Sequence, residues 1–210
     1  YIKLLLESIA NQTVPFDEVI LIDHGSKDNC YELALKYASD INLVLKSNQL
    51  KLNKGGPAWP RNMGIRMCQS KYICFNDADD IPLLNRCEEI KNQLINSQPD
   101  ILIHPYQQFL EKKGHENLIK FGRKIDNKFT SKNIYKKLYF GELSTPVGSY
   151  IIRRIKFNQT LFREDKDVIG GEDRVILLDL LRNNCSIIHF NKILFLYNSG
   201  KLENNKILRS

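Results

Sequence analysis

The hydrophobic positions change period several times along the chain. Ile2, Leu5, Leu6 and Ile9 recur at the spacing of one helical face, which predicts an amphipathic helix ending near Asn11–Thr13. Val19–Ile22 is instead an unbroken apolar run, the pattern of a strand buried on both faces, and it ends in Asp23-His24-Gly25-Ser26. A second helical face follows in Tyr31, Ala34, Leu35 and Ala38, and Ile41–Leu45 then predicts a strand. This β-α-β order favours a parallel sheet.

A polar, Lys- and Asn-rich loop over Lys46–Gly56 closes in Gly55-Gly56-Pro57 and leads into a helix carrying Arg61, Asn62 and Gly64. Glycines at a helix start let the backbone approach a phosphate or a base closely. A further unit has a strand at Tyr72–Phe75, an acidic end at Asp77–Asp80, and a helix with Leu83, Cys87, Ile90 and Leu94 on one face. Asp100–His104 predicts a short strand, and Tyr106–Phe129 a hairpin or a loop over the sheet. Beyond a basic helix at Ser131–Phe140 and a strand at Ser149–Ile152, Gly170-Gly171-Glu172-Asp173 opens a helix that buries Ile176, Leu177, Leu180 and Leu181. Asn183-Asn184 stops it, and strands at Cys185–Ile188 and Ile193–Tyr197 close the fold.

Composition narrows the class. With 210 residues, 42% hydrophobic and 26% charged, one well-cored α/β domain is expected. No apolar run approaches the roughly 20 residues that span a bilayer, and Tyr1–Thr13 lacks the layout of a secretory signal, so cytoplasmic residence is the expectation. Cys30, Cys68, Cys74, Cys87 and Cys185 are odd in number and without CxxC spacing, which favours reduced core thiols. The net charge of +7 is regional, since Glu111–Lys166 holds 14 Lys/Arg against 6 Asp/Glu. No aromatic-basic module or zinc finger accompanies it, so nucleic acid is not an expected partner.

The candidate chemistry centres on Lys71–Asp80, KYICFNDADD. On an extended backbone Asp77 and Asp79 point to one side, and two hard oxygen donors suit Mg²⁺ or Mn²⁺ shared with a diphosphate. The same stretch also reads as a helix start, with Asp80 as the cap and Pro82 in the first turn. Glu172 and Asp173 carry the same ambiguity between chemistry and capping.

Four separated patterns, NQT followed by EVILIDHGSKDN, then NKGGPAWPRNMGI, YICFNDADD and GGEDRVILLDLL, occur in an order that resembles the inverting glycosyltransferases of family 2. The resemblance spans about Leu5 to Tyr197. It implies an α/β, Rossmann-like GT-A nucleotide-diphospho-sugar transferase fold, with a mostly parallel central sheet flanked by helices. A single domain over 1–210 is expected, with a nucleotide-binding half at 1–104 and an acceptor-binding half at 105–200, incomplete at its amino end. It further implies that Asp23, His24, Gly55, Gly56 and Arg61 lie along the nucleotide, that Asp77 meets the ribose or the metal, and that Asp79 is the main metal ligand. Asp173, with Glu172 as the near alternative, is the expected base. The implied reaction moves a sugar from a nucleotide-diphosphate sugar, UDP foremost, to an acceptor hydroxyl with inversion, in surface polysaccharide or lipid-linked glycan synthesis. A nucleotidyltransferase and a catalytically inactive nucleotide-binding or scaffold protein are the alternatives.

The sequence departs from the family pattern in three places. The family's opening strand, which forms one wall of the nucleotide site, has no counterpart before Ile2; His24 replaces a second aspartate; and Tyr197-Asn198-Ser199-Gly200 offers no histidine as a further metal ligand. The basic segment 111–166 is read either as a guide to anionic lipid or a lipid-linked acceptor, at the inner face of the membrane, or as a solvated face.

Overall fold

The structure is a computed structural model that describes residues 1–50, 56–111, 119–125, 133–143, 145–164 and 171–199. The described elements run α1 (Ile2–Ala10), β1 (Ile20–Asp23), α2 (Cys30–Asp40), β2 (Lys46–Gln49), α3 (Ala58–Met67), β3 (Tyr72–Cys74), β4 (Ile81–Pro82) and α4 (Arg86–Ser97). They continue with β5 (Ile101–Ile103), β6 (Tyr106–Glu111), β7 (Ile119–Ile125), α5 (Ile134–Tyr139), β8 (Tyr150–Arg153), α6 (Glu172–Arg182), β9 (Ile187–His189) and β10 (Phe195–Asn198). Among the described residues, no helix is long and apolar enough to cross a membrane.

Among the described residues the strands form three groups. The parallel pair β1-β2 stands apart; a second sheet has the order β3-β8-β5-β9, and a third the order β4-β10-β6-β7. Pairing in the second sheet is mixed, because β8 runs antiparallel to both β3 and β5, while β5 and β9 are parallel. The segment read as a hairpin or loop is a hairpin, with β6 and β7 antiparallel.

Burial explains the layering. Ile101, Leu102 and Ile103 of β5 are fully buried, as expected for one of the two inner strands of the second sheet. One face carries Ile101, Ile103, Tyr150 and Ile152 against α5 and α6, through Ile134, Leu138, Ile176, Leu177 and Leu180. The other places Leu102 and Ile151 against Ile90 of α4 and Leu194. A separate cluster joins Ile2, Leu5 and Leu6 of α1 to Ala34 and Ala38 of α2.

Two local expectations are corrected. The strand predicted at Ile41–Leu45 lies at Lys46–Gln49, because Asn42 turns the chain with φ 55° and Leu43 and Leu45 pack on the α1–α2 cluster instead of entering a sheet. Asp80 and Pro82 do not start a helix: α4 begins at Arg86 after Asn85, and Pro82 pairs with Phe195 in β4-β10.

Glu18 ties the entry of β1 to that of β3. Its carboxylate accepts the Lys46 ammonium at 2.5 Å, the Gln69 amide at 3.0 Å and the Ser70 hydroxyl. The Lys46 bond, followed by that from Ser70, holds the Glu18 carboxyl down at about 2, against the cost of burial. A depressed carboxylate stabilises the fold above its unfolded value and loses that contribution as pH falls through the folded one. Glu18→Gln is therefore expected to unfold at lower urea than the parent at pH 7, with the gap closing between about pH 4.5 and 2. A gap independent of pH would contradict this role.

Candidate active site

Pro60 sits in the first turn of α3, where its missing N–H costs nothing, and Arg61 follows it. The Arg61 guanidinium donates from Nη1 to Glu172 Oε1 at 2.6 Å and from Nη2 to Asp77 Oδ1 at 3.0 Å, with Oδ2 at 3.4 Å. Its side chain is 12% exposed and that of Glu172 11%, whereas Asp77 at 44% keeps one side open to solvent. Burial alone would lower the proton affinity of Arg61, but the two carboxylates outweigh it and raise it. The guanidinium also lies 5.6 Å from the centre of the Phe162 ring. Phe162 is fixed in turn by Asn62, which donates to its carbonyl at 2.8 Å and accepts its amide at 3.0 Å.

Asp77 to Asp80 form a turn, closed by the Asp80 amide donating to the Asp77 carbonyl at 3.1 Å. The extended alternation predicted for Asp77 and Asp79 is thus replaced by a bend, yet the two carboxylates still interact. Burial first, and then the charge of Asp77, push the Asp79 carboxyl up. Asp80 is buried and its carboxyl is pushed up to about 7, chiefly by that burial. It accepts the Asn198 amide at 2.8 Å, which anchors the acidic turn to β10.

Gly171, with φ 82°, adopts the left-handed conformation that turns the chain into α6. Glu172 reaches Arg61 and does not cap the helix. Asp173 accepts the Arg174 amide at 2.8 Å. Burial, and then the charge of Glu172, raise its proton affinity, against the opposing pull of the Arg174 amide and Arg61. The tendency of a helix N-terminus to weaken a base is overcome here by burial. Tyr150 also responds to this charge: burial and then Asp173 raise its phenol, which donates to Thr145 Oγ1 at 2.7 Å.

Asp23 lies at the carboxyl end of β1, 7% exposed, and accepts the Gly25 amide at 3.2 Å and the Ser26 amide at 3.2 Å. Burial opposes its charge, but bonds from Ser26, Gln49 and Gly25 prevail and lower its pKa. His24 meets the edge of Trp59 on α3 at 5.7 Å between ring centres. Gly56 turns with φ 63° and has open space where a side chain would stand. Gly55 lies outside the described residues, as do several positions of the basic segment 111–166. The structure therefore brings Arg61, Asp77, Glu172 and Asp173 into one cluster with Asp79 beside it, and places Asp23 and His24 on the neighbouring strand end. Among the described residues, no three His, Cys, Asp or Glu side chains are grouped to hold a metal ion. Asp77 and Asp79, the hard oxygen donors of the acidic turn, are the residues that could hold a divalent cation, with Asp77 already bonded to Arg61.

Arg86 is a supporting residue that sequence reasoning missed. Fully buried, it donates to Asn76 Oδ1 at 2.8 Å, the Phe75 carbonyl at 3.3 Å and the Gly148 carbonyl at 2.7 Å, so it holds the strand end that presents Asp77. Gly148 must remain small, because a Cβ there would stand 2.7 Å from the Phe195 ring. The available signal was a charge on the apolar face of a helix, three residues after Leu83 and four before Ile90.

Comparison with known proteins places this geometry. The model of the family described as Glycosyl transferase family 2 matches residues 1–162. Glycosyltransferase GlyG of Streptococcus pneumoniae is 35% identical over 115 residues, covering 55% of this chain and 38% of the relative. The uncharacterized glycosyltransferase MJ1057 of Methanocaldococcus jannaschii is 30% identical over 170 residues, covering 78% of this chain and 56% of the relative. The crystal structure of Staphylococcus aureus TarS 1–349 in complex with UDP superposes with a TM-score of 0.73 at 24% identity, over 94% of this chain and 56% of that one. The mannosyltransferase PcManGT from Pyrobaculum calidifontis, in complex with GDP-Man and Mn²⁺, gives a TM-score of 0.65 at 16% identity, over 93% of this chain and 52% of that one. This chain thus spans between 38% and 56% of those relatives' lengths, and the structural likeness establishes the GT-A fold. The chain belongs to glycosyl transferase family 2.

Proposed function

We propose that the protein transfers a sugar from a UDP-sugar to an acceptor hydroxyl with inversion, and that the Arg61–Asp77–Glu172 cluster is where its donor and acceptor halves meet. The observation that carries this reading is the single guanidinium bonded to both the acidic turn and the start of α6. It keeps the Asp77–Asp79 turn, suited to a diphosphate and its cation, next to Asp173. The nucleotide half corresponds to residues 1–104 and the acceptor half to 105–200. Relatives give chemical support: TarS structures hold UDP and UDP-GlcNAc, and PcManGT holds GDP-Man with Mn²⁺.

Asp173 is the base of choice, because Glu172 is committed to Arg61 while burial raises the proton affinity of Asp173. Asp173 removes the proton from the acceptor hydroxyl as its oxygen bonds to the anomeric carbon. The bond from that carbon to the nucleoside diphosphate breaks on the opposite face, which inverts the centre. A bound Mg²⁺ or Mn²⁺ would neutralise the charge left on the diphosphate. The acceptor is proposed to be a growing surface polysaccharide or a lipid-linked glycan at the inner face of the membrane. The basic segment 111–166 suits an anionic acceptor or lipid surface, and TarS, 38% identical over 82 residues, is named for a poly(ribitol-phosphate) substrate.

Purified protein incubated with Mn²⁺ and UDP-, GDP- and dTDP-sugars is expected to release nucleoside diphosphate from a UDP-sugar. No release and no thermal stabilisation with any donor would contradict the transferase reading. Asp79→Ala is expected to abolish Mn²⁺-dependent thermal stabilisation, and an unchanged shift would remove Asp79 from the cation site. Asp173→Asn is expected to lower kcat by about 10²- to 10⁴-fold while leaving UDP affinity intact. Its parent's kcat/KM should fall on the acid side at a pH above the ordinary aspartate value of about 3.9, as burial of Asp173 requires. Undiminished turnover in Asp173→Asn would assign the base elsewhere.

A further inference from the structure

A single aromatic ring on a surface needs no explanation, but α5 and its end expose three in contact. Tyr135 is 37% exposed, Tyr139 61% and Phe140 63%. Ile134 and Leu138 hold the opposite face of this helix in the core, so the helical period that buries them also sets the rings outward. Tyr135 and Tyr139, four residues apart, lie 12° from parallel with ring centres 6.4 Å apart, and Phe140 meets Tyr139 edge-on at 5.3 Å.

The row joins two polar features, because α5 lies antiparallel to α6. At one end Arg182 donates from Nε to the Tyr135 hydroxyl at 3.0 Å; at the other, a Cβ on Gly141 would stand 3.0 Å from Arg174 Nη1. Those two arginines are about 12 Å apart along α6 by the rise of a helix. Beside Arg182 opens a hollow of about 310 Å³, lined by Gln159, Thr160, Arg163, Asp179, Arg182 and Asn183. Asp179 accepts Arg163 at 3.1 Å on each oxygen and Arg182 at 3.3 Å, which fixes the directions of these planar groups. Such a surface matches a sugar chain. The axial-hydrogen face of a pyranose is apolar and weakly positive and complements the negative face of an aromatic ring, while its hydroxyls need donors and acceptors held in place. A bilayer is the poorer fit: α5 has six residues, Tyr135 is tied to Arg182, and Glu142 and Asp179 put carboxylates at both ends of the row.

We propose that this face of α5 and α6 is a binding track for an extended oligosaccharide, with Tyr135, Tyr139 and Phe140 stacking on its sugar rings and the Arg163–Asp179–Arg182 hollow holding the hydroxyls of its far end. The row ends beside Arg174, next in sequence to Asp173, so the track holds the part of a polymeric acceptor that lies behind its reacting hydroxyl. That role rests on the transferase reading; the binding of a sugar chain does not. Such a track selects for length, because a single sugar meets only part of it.

The test titrates the 210-residue chain with cellotetraose, chitotetraose and maltotetraose, each beside its monosaccharide, by ligand-detected NMR without donor or cation. At least one tetrasaccharide is expected to bind about tenfold more tightly than its monosaccharide, or better. Replacing both rings, Tyr139→Ala with Phe140→Ala, should weaken that tetrasaccharide about tenfold, while Tyr139→Trp, which keeps a stacking face, should retain it. Arg163→Gln, at the far end, should weaken it as well. Both rings are exposed, so the double variant is expected to unfold at the same urea concentration as the parent. Three results overturn the proposal: no tetrasaccharide preferred over its monosaccharide, full binding in the double variant, or full binding in Arg163→Gln. Cosedimentation with phosphatidylcholine–phosphatidylglycerol vesicles that the double variant loses, without tetrasaccharide binding, would assign the rings to a bilayer and equally overturn it. No readout here needs nucleotide release, so failure of the track is distinguishable from failure of the transferase reading.

Discussion

Arg61 is the constraint on which the site depends. A guanidinium removed from water pays a large desolvation cost, and it is tolerable only when its donors meet charges of opposite sign. Asp77 and Glu172 are 95 residues apart in sequence, and each gives the same cation a short bond. Without the cation, Asp77, Asp79, Glu172 and Asp173 would repel one another and drive the acidic turn away from α6. With it, four carboxylates share a small region, and burial first, then the charge of their carboxylate neighbours, raises the proton affinities of Asp79 and Asp173.

The supporting residues act through backbone, which gives the site its stiffness. Arg86 binds the carbonyls of Phe75 and Gly148 and so holds the end of β3 against the segment that leads into β8. Asp80 fastens the acidic turn to β10 through the Asn198 amide, and Asn62 fixes Phe162 beneath Arg61. Each is a buried polar group bonded to a distant stretch of chain, and together they position Asp77 and Arg61 from three directions.

Much of the fold was legible because period and length are local. The helical faces of α1 and α6 and the buried strand β5 follow directly from the spacing of their apolar residues, whereas on α2 Ala34 and Ala38 are buried and Leu35 is exposed. The strand predicted at Ile41–Leu45 failed because its apolar residues serve the α1–α2 cluster, while the polar Lys46–Gln49 pairs through backbone with β1. Of the site, the residue types were readable and their partners were not. Asp77, Arg61, Glu172 and Asp173 stand out by motif and by resemblance, but nothing local says that Arg61 binds both carboxylates, or that Asp80 faces Asn198 and not a helix start. Those are long-range pairings, set only when the sheet and α6 are packed. Arg86 was hidden for the same reason, its role being defined by the carbonyls it meets.

The central claim, that one buried cation couples the acidic turn to the start of α6, is tested most directly by a double-mutant cycle in urea unfolding with Asp77→Asn and Glu172→Gln. The two carboxylates share Arg61, so each single change alters what the other contributes. The cycle should show an interaction energy of at least about 0.5 kcal/mol, beyond the 0.3–0.5 kcal/mol scatter of independent sites. Strict additivity, with both single variants measurably destabilised, would contradict the coupling and leave the two carboxylates as separate surface features.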